Sequence, residues 1–160
     1  MSTRDLDTRI VEVGAVPIDT TGAAVTGDYV SLKNYRRLMI VISQGAWAGG
    51  TPAVTLKQAT DVAASDEKAL GFTYRWTKVG LTGTTFTKTA VTSNTFNLPA
   101  VANTINVLIV DAMDLDADNG FDCVSCQIAS PGANADLISM VYILDEARYN
   151  QATMIDPKVD

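Results

Sequence analysis

The chain has 160 residues, of which 47% are hydrophobic and 19% charged, and a formal net charge of −6. That size and apolar content suit one folded domain and exclude the disordered class. The acidic balance, with no basic stripe, argues against nucleic acid as a partner, because such binding rests on Lys and Arg neutralising phosphates.

In chain order, residues 1 to 8 carry charges and lack strand periodicity, so they are read as an N-terminal arm. The opening MSTRDLDTRIVEV has no apolar h-region and is expected to be no secretory signal. No apolar run approaches the ~18 residues of a membrane span, so no membrane partner is expected. A β domain is expected over 9–147. VEVGAVPI near 11–18 and YVSL near 29–32 are strand signals. RLMIVIS around Leu38 to Ile42 is nearly continuous and rich in β-branched residues, which predicts a central strand covered on both faces. AVTLKQA at 53–59 follows the turn WAGGTP. DVAASDEKAL at 61–70 suits a loop or one helical turn with Ser65 as a cap. LGFTYRW alternates, with Leu70, Phe72, Tyr74 and Trp76 on one face, and predicts a half-buried strand that places Trp76 in the core. TFTKTAV near 85–91 and NTFNL near 94–98 follow. NTINVLIVD around Ile105 to Val110 and LISMVYIL from Leu137 to Leu144 are again expected to be central and covered on both faces. FDCVSCQI near 121–128 lies between them. Gly, Pro and Asn supply the turns at DTTG, GLTGTT, LPAVAN and SPGANAD. Short strands at this spacing predict an all-β fold, an antiparallel β-sandwich or barrel. Residues 148–160 lose the periodicity and are read as a C-terminal arm.

The sequence has no histidine, which excludes His-based triads and most catalytic zinc sites. Carboxylate pairs, Lys or Tyr bases, or a Cys lacking its usual partner are what remain. The stretch DAMDLDADNGFDCVSC, 111–126, holds two familiar signals. Asp114, Asp116 and Asp118 fit the first ligand positions of a calcium loop, but its sixth position is Asn119, its twelfth is Ser125, and strands flank it where helices are required. Asn119-Gly120 instead predicts a type I′ hairpin turn beneath a solvated acidic loop. The three Asp residues are then the one metal candidate, for an adventitious or structural cation. Cys123 and Cys126 on one strand point to opposite faces with Cα atoms roughly 10 Å apart, beyond the ~7 Å limit of a disulfide. Both are read as reduced thiols, which suits assembly in a reducing cytoplasm. GAWAGG at 45–50 lacks the Gly-Lys-Ser/Thr of a phosphate loop, and no Gly-x-Ser-x-Gly occurs. Asp111 and Asp122 are the nearest thing to a catalytic carboxylate pair. The expectation is a protein without catalytic residues and without a cofactor. Trp47, in a Gly-rich turn, is a candidate anchor at a protein interface or a platform for sugar.

The runs DYVSLKNYRRLMIVISQGAW, AVTLKQATDVAASDEKALGFTYRWTKVG and LIVDAMDLDADNGFDCVSCQIASPGANADLISMVYILDEARY span about 28–149. In order and wording they resemble the small virion structural proteins encoded in tailed-bacteriophage head gene clusters. The resemblance implies a non-enzymatic cement or decoration protein on the outer capsid lattice, made in the bacterial host cytoplasm and located on the virion. It implies the major capsid protein as partner, a jelly-roll-like β-fold, and a homo-oligomer, with a trimer favoured. It carries no site motif. Arms that order on binding would add contact area to a rigid sandwich, so Tyr149, Met154 and Ile155 of the C-terminal arm, with Trp47, are the candidate interaction residues. A tail-tube or head-tail connector subunit is the alternative among structural proteins, and a carbohydrate-binding module using Trp47 the alternative of another class.

Overall fold

Alternation of apolar and polar residues at every second position gives a strand one buried and one outward face. The computed structural model, which describes residues 8–149 and 154–159, turns that alternation into two facing antiparallel sheets. Its strands are β1 (Ile10–Asp19), β2 (Val25–Thr26), β3 (Val30–Ser31), β4 (Tyr35–Trp47), β5 (Ala53–Ala59), β6 (Lys68–Ala69), β7 (Tyr74–Val79), β8 (Thr87–Ala90), β9 (Thr95–Asn97), β10 (Thr104–Asp111), β11 (Cys123–Ile128) and β12 (Asp136–Ala147). The first sheet has the order β1-β12-β4-β10-β7-β8, and the second β2-β11-β5-β6 with β3 on β11 and β9 on β5. The strands β1-β12-β4-β10 face β2-β11-β5-β6, and the chain changes sheet at most of its connections. This is the arrangement of a jelly roll, a sandwich of two open sheets. The hairpin of β7 and β8 widens the first sheet to six strands.

The core lies between the sheets. Leu38, Ile40, Ile42, Leu108, Ile138, Met140 and Leu144 point inward from the first sheet and meet Val54, Leu56, Val124, Cys126 and Ile128 from the second. Tyr142 spans the gap. Its ring leaves β12 against Gly14 of β1, where a Cβ would stand 2.7 Å from Cζ. Its hydroxyl accepts a hydrogen bond from the Cys126 N–H of β11 at 3.1 Å. Gly27 completes the slot, since a Cβ there would lie 2.2 Å from the Tyr142 hydroxyl oxygen. Burial pushes the Tyr142 hydroxyl and the Cys126 thiol well above their ordinary pKa values, so both stay protonated. Cys123 packs instead in a smaller cluster with Tyr29 and Ala59, and the two free thiols face opposite sides of β11 as their spacing requires.

Polar groups close one end of the core. The Thr104 hydroxyl donates to Gln44 Oε1 at 2.8 Å, and Gln44 Nε2 donates to Asp136 Oδ2 at 2.9 Å. The N–H and hydroxyl of Thr20 donate to the Asp136 carbonyl at 3.0 and 2.9 Å. Asp136 is fully buried, and its Oδ1 has no hydrogen-bond partner among the described residues. Burial raises its carboxyl above the ordinary value of 3.8, the Gln44 bond opposes this, and the Asp19 charge adds to it.

Two expectations are corrected. LGFTYRW is not one strand: β6 ends at Ala69 in the second sheet and β7 begins at Tyr74 in the first. Leu70 and Phe72 are buried where the chain crosses, but Tyr74 is exposed and Trp76 faces outward, because the inward positions of β7 belong to Arg75, set over the Phe96 ring, and Thr77, bonded to Asn106. Asn119-Gly120 is not a type I′ turn. Asn119 ends a 3-10 turn, Ala117–Asn119, and Gly120 caps it with φ of 82°. The strands on either side, β10 and β11, belong to different sheets, so no hairpin turn joins them.

Tyr142→Phe keeps the ring but leaves the buried Cys126 N–H without its acceptor. We expect a loss of about 1–3 kcal/mol, read as a melting temperature lower by ~2–4 °C per kcal/mol for a chain of this size. An unchanged melting curve would remove the hydroxyl from the account of sheet spacing.

Asp136 gives a pH dependence of the opposite sign to an ordinary paired carboxylate. A folded pKa above the unfolded one contributes stability below the unfolded value of 3.8 that is lost as pH rises through the folded value. Asp136→Asn is neutral throughout, so its melting temperature should exceed that of the parent by a margin that grows as pH rises from 3.5 (about the acid end of the window) toward neutrality. A margin independent of pH would contradict an ionisable, poorly compensated Asp136.

Candidate interaction surface

The outer faces of the two sheets differ. On the second sheet the outward positions of β5, β9 and β11 include Thr55, Lys57, Thr95, Asn97, Ser125 and Gln127, with Thr55 opposite Gln127 and Thr95, while Ala59 and Cys123 at one end pack with Tyr29. Glu67 ties this face together through Lys57, Gln127 and Tyr29, and these hydrogen bonds hold its carboxyl below the usual range. The middle of the face is polar, as alternation predicts, although Ser125 is buried and donates to the Gly27 carbonyl at 2.7 Å.

The first sheet is apolar outside as well as inside. One row runs Val13, Val141, Val41, Val107, Trp76 across β1, β12, β4, β10 and β7 in register, and ends at Lys88 on β8. The adjacent row holds Val11, Ile143, Met39 and Ile109, with Tyr74 and Ala90 on the last two strands. Each of these side chains is half-buried by its neighbours or exposed, and Val11 and Val13 are 52% and 49% exposed. Lys88 lies over the Tyr74 ring at 3.7 Å and 5.4 Å from that of Trp76, closing the stripe at its far edge. Rows richer in polar residues flank it, one of them interrupted by Ile105. On one side Ser139, Ser43, Ile105 and Lys78 are neighbours in register. On the other, Asp145, Arg37 and Asp111 stand side by side, and Arg9 Nε is 3.1 Å from Asp145 Oδ1. An apolar centre with a polar rim is the anatomy of a protein interface.

This corrects the expectation that the runs around Leu38–Ile42, Ile105–Val110 and Leu137–Leu144 are covered on both faces. The strands are central in their sheet, but the chain supplies one covering layer, and the six-stranded sheet keeps its outer face open.

The acidic stretch has its own local partners. Asp111 and Asp114 form a capping box on the 3-10 turn Ala112–Asp114: Asp111 Oδ1 accepts the Met113 N–H at 3.1 Å and Asp114 Oδ2 the Asp111 N–H at 3.0 Å. Asp116 accepts from Lys68 and, at 2.9 Å, from Asn119 Nδ2, which lowers its pKa. Asp118 points to solvent. Asp114, Asp116 and Asp118 therefore do not converge, and among the described residues no group of three His, Cys, Asp or Glu side chains could hold a metal ion. A cleft of about 490 Å³ opens beside this turn, lined by Phe72, Val91 and Ile109 with Thr73, Thr92 and Ser93; Asp114 is its one acidic wall.

Trp47 ends β4, half-buried, and its indole N–H donates to the Gly50 carbonyl at 2.8 Å. Gly49 and Gly50 let this turn approach the 131–134 loop, where a Cβ on either would meet Asn134 or the Pro131 carbonyl within 3 Å. Tyr149 is 66% exposed at the opposite end of the sheet. The described part of the C-terminal arm does not project. Met154 packs against the core, Pro157 is buried, and Ile155 is partly exposed. The Ile155 carbonyl accepts from the Tyr35 hydroxyl, the Pro157 carbonyl accepts from the Ser31 N–H at 2.7 Å, and Lys158 Nζ reaches Asp28 at 2.8 Å and Glu12 at 3.6 Å. The segment fastens the open side between β1 and β3. Residues 1–7, 150–153 and 160, which complete the two expected arms, lie outside the described residues.

No protein-family model matches the chain, and no curated protein matches it. Among solved structures it is similar to the SPBc2 prophage-derived protein YomS at 12% identity over 86% of this chain and 93% of that one, with a TM-score of 0.47. It is also similar to a chain in the structure of infectious bursal disease virus Gx strain at 12% identity, over 94% of this chain and 33% of that one, with a TM-score of 0.42. No helix among the described residues is long and apolar enough to cross a membrane.

Removing residues 154–160 strips the Met154 and Pro157 packing and the Ser31 bond from the domain edge. The expected cost is about 2–4 kcal/mol, a melting temperature lower by roughly 5–15 °C in differential scanning calorimetry. A truncated chain that melts like the parent would show that the segment is no part of the fold.

Proposed function

We propose that this chain is a non-enzymatic structural component of a tailed-phage virion, a cement or decoration protein bound to the outer capsid lattice. The observation that carries the reading is the apolar outer face of the six-stranded sheet. A domain with a complete core and one further sheet face lined with Val, Ile, Met and aromatic side chains works by being packed against protein. The sequence resemblance over 28–149 supplies the kind of assembly. The jelly-roll sandwich supplies rigidity, and Tyr149 and Ile155, with Trp47 at the other end of the sheet, are the residues we assign to contacts with neighbouring subunits. The partners are the major capsid protein and other copies of this chain.

The test is to mix purified protein with capsids lacking it, sediment the particles and heat them. Stoichiometric co-sedimentation with a raised disruption temperature is expected, because a partner that binds only the intact lattice stabilises it by mass action. Failure to bind, with tubes or rings formed by the protein alone, would overturn the cement role in favour of a tail-tube or connector subunit.

A further inference from the structure

We propose that the apolar outer face of the first sheet is covered by a second copy of this chain, packed face to face about a two-fold axis that runs along the strands between β4 and β10. The pairing rests on the same face as the cement role and assigns that face to a second copy, so that the pair meets the capsid lattice by its other surfaces.

Size comes first. Six strands ~4.8 Å apart carrying four rows of side chains ~6.7 Å apart make a face of about 770 Å². The two apolar rows are about half of it, a patch of the size that is often functional on a monomer, and the whole face matches the ~800 Å² per partner of a standard stable interface. Composition is the second argument. Both sheets come from one chain in one solvent, and the second is polar across the middle of its outer face, with Ala59 and Cys123 packed under Tyr29 at one end, while the first is apolar across its middle and open. The difference marks the first as a face that is covered in the working state.

Charge and shape select the occupant. Arg9, Asp145, Arg37 and Asp111 alternate in sign across β1, β12, β4 and β10. A two-fold axis along the strands reverses the strand order and keeps each row at its own height. Arg37 then faces Asp111 of the second copy, and Asp111 faces its Arg37. The same operation sets Val41 opposite Val107 and Met39 opposite Ile109. A copy also has the identical twist, which aligned sheet-on-sheet packing at ~10 Å requires. A face paired with itself is isologous and closes at two subunits, in contrast to the trimer that the resemblance implies.

Sedimentation equilibrium of the purified full chain at micromolar concentration should give the mass of two chains. Val41→Glu places a charge in the centre of the interface twice over, and should raise the dissociation constant by at least about 100-fold with an unchanged far-UV circular dichroism spectrum. Ser43→Arg, at an exposed position on the same face, is the second variant should Val41→Glu not fold, and should also yield single chains. A wild-type single chain, a trimer, or a dimer that survives both substitutions overturns the proposal. Capsid co-sedimentation is scored separately. A single chain that binds capsids sinks the pairing and leaves the cement role; a dimer that ignores capsids does the reverse.

Discussion

Tyr142 sets the distance between the sheets. Its ring fills the depth of the sandwich from β12, and its hydroxyl meets the backbone of β11, so it ties the first sheet to the second through the core. Gly14 and Gly27 stand where any Cβ would enter the ring or the hydroxyl. Because the chain changes sheet at most connections, a spacing fixed at one point propagates through every crossing. A larger residue at either glycine would force strands apart or push the tyrosine off its rotamer, the usual cost of overpacking a close-packed interior.

The polar end of the core works differently. Apolar packing alone tolerates sliding by two residues, since a slip of that size restores the same face to the core. The Thr104–Gln44–Asp136 chain of hydrogen bonds does not, because it joins β10, β4 and β12 at single positions. The Thr77–Asn106 pair adds the same constraint between β7 and β10. Buried polar groups are costly when unpaired, so every alternative register that separates them is disfavoured. The orphaned Oδ1 of Asp136 is what the arrangement costs.

Strands were legible in most of the stretches where apolar runs or alternation extended over five or more residues. β4, β5, β10, β11 and β12 fall where the pattern places them, and the opposed cysteines follow from strand geometry alone. LGFTYRW misled because Leu70 and Phe72 keep the period of Tyr74 and Trp76, although the chain changes sheet between the two pairs. Period-2 alternation records which side is apolar, not which sheet the strand joins. Asn119-Gly120 misled for a related reason: a residue pair that tolerates positive φ serves a 3-10 cap as well as a hairpin. The tail was read as free because isolated apolar residues have no period, and Met154 and Pro157 each fill one gap in the domain edge. Sheet order, set by contacts distant in sequence, left no local signal at all.

The discrepancy in burial has the most consequence. A continuous apolar run states how many faces of a strand are kept from water, and the runs of β4, β10 and β12 state two. A single chain provides one. Of 12 Lys and Arg and 18 Asp and Glu in the sequence, Lys88 alone stands in the two apolar rows, at their margin. Had that face been selected for contact with water, charge would be expected along its middle, as Lys57 stands on the second sheet. Instead the charges are held to its border, where Arg9, Asp145, Arg37 and Asp111 leave the apolar centre free to be desolvated. The runs thus name two apolar faces where the chain covers one, and the open face of β4, β10 and β12 is the consequence.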